Sequence, residues 1–229
     1  MLAQLRLYQL YSPALPVGGF TYSQGLEWAV EAGWVVDKKG FRQWLLSLLD
    51  NTLATLDLPV LLRLQQACCR SDTDSCAADN NKDFQYWTQL LIASRETKEL
   101  RLEERQRGAA LARLLPALGV IIPADLASAV SSCQLAGLAL AANQWQITPQ
   151  QNCLGYAWSW LENNITAGIK LVPLGQTDGQ QLLLDIAARI PGAIAIAADT
   201  QDVRVGSATP ALAIASSQHE QQYTRLFRS

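Results

Sequence analysis

Residues 38–56, KKGFRQWLLSLLDNTLATL, decide the fold class. Phe41, Trp44, Leu45, Leu48, Leu49 and Leu53 recur at spacings of three and four, the period of one helix face. A stripe of this kind is buried against other elements, and nothing in the segment alternates as a strand would. The same period extends outward in both directions. Gly25 to Ala32 reads as a short helix stopped by Gly33. Leu58 to Arg70 reads as another, with Pro59 in a first turn where a missing N–H is tolerated. A long helix is expected from about Phe84 to Leu115, starting after Asp83 as a cap. Pro123 opens a helix to Ala142 and Pro149 one to about Ala167. Gly179 to Ile190 follows, and Pro191-Gly192 breaks the chain before Ala193 to Ala198. The run Ile169 to Leu174 is apolar and ambiguous. Ser71 to Asp83, SDTDSCAADNNKD, has no period and is expected as a flexible loop. The expectation is an all-α protein: one domain over residues 1–229, a helical bundle of about seven to ten helices.

Composition narrows the function classes. With 49% apolar and 17% charged residues the chain is packed, not disordered. A formal net charge of −2, without a Lys/Arg block, argues against nucleic acid as a partner. The five cysteines are an odd number and Cys68 adjoins Cys69, so reduced, mostly buried thiols in a cytoplasmic protein are expected rather than a disulfide framework. The start, MLAQLRLYQLYSP, is apolar but short and lacks the basic start and small-residue cleavage site of a signal peptide. The longest apolar stretch, Ala124 to Ala142, is interrupted by Asp125, Gln134 and serines, and is expected as a buried helix with no membrane partner.

A search for chemistry finds little. TYSQG around Ser23 has Thr21 where a nucleophile elbow needs glycine, and no strand precedes it. The chain has one histidine, His219. HEQQY lacks the second His of a zinc-protease helix, and the stretch reads as a solvated tail. Cysteines 68, 69, 76, 133 and 153 have no metal-ligand spacing, and no phosphate-cradling loop or dinucleotide fingerprint is present. No catalytic residue, metal or cofactor is expected.

Four segments stand apart. SPALPVGGFTYSQGLE (12–27) is rigid and apolar ahead of a helix, the build of a surface that meets something else. SRETKELRLEERQRG (94–108) carries nine charges in fifteen residues. Glu103 and Arg107 are well placed to pair and Arg101 can reach Glu104, so the segment is either a solvated helix or one facing a partner. AGIKLVPLGQTDGQ (167–180) sets a lone Lys170 among apolar residues at a tight turn between helices. HEQQYTRLFRS (219–229) gathers two aromatics and two arginines, the composition of an interface anchor.

Taken together and in this order, these blocks resemble the UreF family of urease accessory proteins, with Thr21 where that family often has Ser. The resemblance implies an all-helical, dimeric protein without catalytic activity. It would bind UreD (also called UreH), recruit the nickel-carrying GTPase UreG, and so activate apo-urease through carbamylation of its lysine and nickel insertion. The tail near 216–229, with Tyr223, Arg225, Leu226, Phe227 and Arg228, would become ordered on UreD. Tyr22, Ser23, Glu27, Arg95, Glu96, Glu99, Arg101 and Lys170 would form the face near the dimer axis that meets UreG. The alternative is a direct nickel-binding chaperone using His219 and the cysteines, for which one His and scattered Cys predict weak binding.

Overall fold

Helix α3, Lys38–Leu48, starts where the Asp37 carboxylate accepts the Gly40 amide, and it buries Phe41, Trp44, Leu45 and Leu48. It continues into a π-helical stretch, Leu49–Asp57, and then into α4, Leu58–Ala67. The computed structural model describes residues 1–68, 74–207 and 209–228, without the side chains of 74–78. Its remaining helices are α1 (Leu2–Leu10), α2 (Leu26–Glu31), α5 (Asp74–Ser94), α6 (Lys98–Leu114), α7 (Ala127–Ser132) and α8 (Gln134–Gln144). After these come α9 (Pro149–Leu171), α10 (Gln176–Ala187), α11 (Ile190–Asp199) and α12 (Pro210–His219). Counting 38–67 and 176–199 as continuous spans leaves ten helical rods, and no strand occurs among the described residues. The all-α expectation holds.

The core forms around α4 and α8. Helix α8 is buried at every position from Gln134 to Ala142, which its run of Ala, Leu and Gly permits by allowing neighbours close on all sides. Helix α4 packs on α8, α5 and α9. Helix α9 begins with a capping box between Thr148 and Gln151, with Pro149 at its first position, and runs 23 residues past α1, α4, α10 and α11. The spans 38–67 and 176–199 are long and apolar enough to cross a membrane by length and composition; over an apolar 18-residue stretch of each, 67% of the first and 33% of the second is buried in the fold.

Several boundaries differ from the sequence reading. The helix expected over 84–115 is two helices, α5 and α6, parted at Arg95-Glu96-Thr97, because Thr97 takes extended backbone and caps α6 by accepting the Leu100 amide. The stretch expected over 123–142 is likewise split, at Cys133. A side chain at Gly108 of α6 would lie 2.6 Å from the Cys133 nitrogen, so the two backbones touch there. The polar run expected as a loop over 71–83 is helical from Asp74 onward; its residues 71–73 lie outside the described residues. Helices α1 and α12 have no counterpart in the sequence reading.

Candidate functional site beneath the C-terminal tail

Two helix N-termini build this site. Gln24 (φ 52°) and Gly25 (φ 78°) both take left-handed backbone, which turns the rigid opening segment into α2. A Cβ on Gly25 would come within 2.9 Å of the Ser216 nitrogen, so α12 rests directly on this bend. The Ser23 hydroxyl accepts the Glu27 amide, and Glu27 lies in the first turn of α2. At the start of α6 the Thr97 hydroxyl caps the helix and shares a 2.7 Å hydrogen bond with Ser216. Glu99 lies in that first turn. Each helix thus places a glutamate where its dipole favours negative charge. Both glutamates converge on the last residue of α12, His219, at the helix end that favours positive charge.

His219 is fully buried. Its Nδ1 lies 2.7 Å from Glu99 Oε2 and its Nε2 3.2 Å from Glu27 Oε2. The same carboxylates hold the tail. Glu27 Oε1 accepts the Leu226 amide at 2.6 Å, and Oε2 accepts the Phe227 amide at 2.9 Å. Glu99 Oε1 accepts from the Arg225 guanidinium at 2.7 Å. The Arg228 amide donates to the Thr21 carbonyl at 2.9 Å. Phe227 is buried, and Lys170 of α9 stands 5.7 Å above its ring, a cation–π contact. The opposite side of the tail faces outward, with Tyr223 fully exposed and Leu226 65% exposed. Beside it opens a cleft of about 560 Å³ lined by Tyr22, Leu102, Lys98, Glu220, Phe227 and Arg228, among others.

A second buried charge cluster is built on the α5–α6 connection and α6. Arg95 pairs with Asp57 at 2.9 Å and with Glu104 at 3.0 Å. The Tyr156 hydroxyl donates to Asp57, and Glu104 accepts the Gln134 amide at the α7–α8 break. Burial pushes the Asp57 carboxyl above its ordinary range, opposed by Arg95. Burial also works against the Arg95 charge, but Asp57 and Glu104 outweigh it and hold the guanidinium protonated well above the usual arginine range. Next to Glu104 in the chain, Glu103 pairs with Arg107 at 2.8 Å and accepts from Gln24, whose carbonyl receives the Trp160 indole N–H. The Tyr22 hydroxyl donates to Gln106. Its phenol is pushed up by burial and by Glu103, opposed by Arg228 and Arg107.

The structure therefore gathers residues from all four sequence blocks at one locus, but many lie beneath the surface. Tyr22, Ser23, Glu27 and Glu99 are buried and Arg95 is nearly so, while Glu96 and Lys170 are exposed and Arg101 is half-buried with its guanidinium on the Arg95 carbonyl. The charged helix is not the solvated face that was one of its readings: Glu99, Glu103 and Glu104 are buried, and Glu104 pairs with Arg95 rather than Arg101. His219 is corrected most. Read as part of a solvated tail, it is the centre of the site, because α12 carries it inward between α2 and α6. The sequence reading missed α12 itself. Its apolar residues, Ala211 to Ala215, are consecutive and leave no stripe, so the one available signal was Pro210 opening a run of helix formers. Among the described residues no group of three or more His, Cys, Asp or Glu could hold a metal ion. The two glutamates meet opposite edges of the imidazole and so share no common point with either nitrogen.

Comparison with known proteins accounts for the four blocks. The sequence model of the UreF family matches residues 35–187. The urease accessory protein UreF of Pseudomonas putida (strain W619) is 53% identical over 228 residues, covering all of this chain and 98% of that protein. UreF proteins of Alcanivorax borkumensis and Escherichia coli O157:H7 are each 46% identical, over 99% of this chain and 98% and 97% of their own lengths. Matched by the family model across most of its length and by relatives from end to end, the chain belongs to the UreF family of urease accessory proteins.

Proposed function

We propose that this chain acts in urease maturation as a non-catalytic scaffold that binds UreD through its C-terminal tail and, with UreD, recruits UreG to deliver nickel to apo-urease. Membership of an accessory-protein family implies the role in urease maturation; the partners and their order of assembly are our reading. The observation that carries it is the two-sided tail. Arg225, Phe227 and three backbone amides tie one side to the protein, while Tyr223 and Leu226 stand in solvent. Large exposed apolar groups on a held segment are the build of an interface anchor.

In this reading the buried members of the opening and charged blocks act from beneath. Glu27, Glu99 and Arg95 fix the shape of the face, and Glu96, Arg101, Lys170 and the tail contact partners. A homodimer would set two such faces about its axis. The cell compartment that suits this work is the cytoplasm. The test is GTP turnover by UreG with and without this chain and UreD. A change in turnover that needs both proteins, and that Lys170→Ala or Glu96→Ala weakens without loss of fold, is expected. Equal turnover in every mixture, with no UreG retained, would count against the scaffold. The nickel-chaperone reading has its own arm: equilibrium dialysis giving tight, stoichiometric Ni²⁺ binding by the isolated chain would favour it instead.

A further inference from the structure

The contacts of His219 demand more protons than a neutral ring possesses. A neutral imidazole has one N–H; its other nitrogen is an acceptor. Here both nitrogens face carboxylate oxygens, at 2.7 Å and 3.2 Å. With one proton, a ring lone pair would be set against the lone pairs of Glu27 or Glu99 inside the fold. Only the imidazolium donates on both sides.

Among the described residues, the basic side chains paired directly with Glu27 and Glu99 are His219 and Arg225. From α2 come Glu27 and Glu31, and Glu31 accepts from Gln222. From α6 come Glu99, Lys98 and Glu103, and Glu103 is paired with Arg107. Glu220, next in the chain, accepts the Glu99 amide. The tail supplies Arg225 on Glu99 and Arg228 beside Tyr22, and α9 supplies Lys170 over Phe227. Glu27 and Glu99 are therefore matched by His219 and Arg225. Without the second ring proton, Arg225, 40% exposed at its side chain, pairs with Glu99, and Glu27 is left to the two tail amides. A buried charge left without a partner is costly.

We propose that His219 is a proton-dependent positioning residue. As imidazolium it holds Glu27 and Glu99 in the geometry that grips the C-terminal tail, and loss of its proton to solvent frees residues 225–228. The grip is a property of the chain alone, whichever partner meets the tail, so its failure and the failure of the scaffold reading are separate results.

Because the chain has one histidine, the imidazole resonances of an untagged, ¹⁵N-labelled sample assign themselves. The experiment records them from about pH 5.5 to 9 across the range of imidazole titration, with hydrogen exchange at Leu226, Phe227 and Arg228 corrected for intrinsic rate. Both ring nitrogens should be protonated while those amides are protected. Once the ring begins to lose its proton, protection should fall about tenfold per pH unit, the slope of a one-proton linkage, with α8 amides unchanged. A neutral ring with the tail amides still protected overturns the proposal, and so does tail protection that is flat across the titration. His219→Gln, which keeps one donor and one acceptor, should show weak, pH-independent tail protection. If that variant keeps the wild-type pH profile, another group carries the switch. Should it fail to protect α8, the wild-type titration alone decides.

Discussion

At the scale of single residues, the protein invests in buried charge where an apolar core would be the simpler solution. Arg95 sits between Asp57 and Glu104 with little solvent contact. Removing it strands two carboxylates, so Arg95→Ala should lose about 3–5 kcal/mol of stability, read as a fall in the urea midpoint at constant m-value. Cys153 reports burial differently. Its thiol is pushed up to about 12 by burial, against an ordinary value near 8.5. The sign follows from linkage. The thiol stays neutral in the fold where the unfolded chain would ionise, so its contribution is whole below about pH 8.5 and is lost as pH rises toward 12. Cys133, Tyr11 and Tyr156, also pushed up chiefly by burial, act in the same direction. Stability should therefore decline on the alkaline side. At pH 8, iodoacetamide should leave Cys133 and Cys153 unmodified in the native protein and modify both in urea, as peptide mass mapping would show.

At the scale of elements, what could be read from sequence followed the strength of the local signal. The stripe from Phe41 to Leu53 is regular enough that its helix was legible, as was the turn after Lys170, where Pro173 and Gly175 part α9 from α10. The π-helical stretch over 49–57 was not, since a change from i−4 to i−5 bonding leaves the order of apolar residues untouched. Asp57, the last residue of that stretch, is buried. The break before α6 was signalled only by Thr97, one hydroxyl in a highly charged run. Its structural role is double, as cap of α6 and as partner of Ser216 on α12. Thr97→Ala should cost about 1 kcal/mol through the cap and more through the stranded Ser216 hydroxyl. A control variant, Ser216→Ala, separates the two contributions by a double-mutant cycle.

At the scale of the whole molecule, the four blocks that singled out the family are far apart in sequence and adjacent in space. Long-range convergence of this kind has no local signature; it was visible only as four unexplained stretches in a fixed order. The fold turns them into one object: two glutamates at helix starts, a histidine at a helix end, and a tail held across them. The candidate surface was thus legible as a set of residues, but not in its depth. Of the residues expected on it, Tyr22, Ser23, Glu27, Glu99 and Arg95 support it from below, and Glu96, Lys170, Tyr223, Arg225, Leu226 and Arg228 are left exposed.

In the proposed function, the outer side of this tail is a docking surface. Tyr223→Ala combined with Leu226→Ala removes two exposed side chains and leaves every backbone bond of the tail in place. The direct measurement is capture of UreD by the untagged wild-type chain and by this double variant, with circular dichroism as the check on folding. The wild type should hold UreD, and the folded variant should lose at least tenfold in affinity, about 1.4 kcal/mol or more. A folded variant that captures UreD as tightly as the wild type would contradict it.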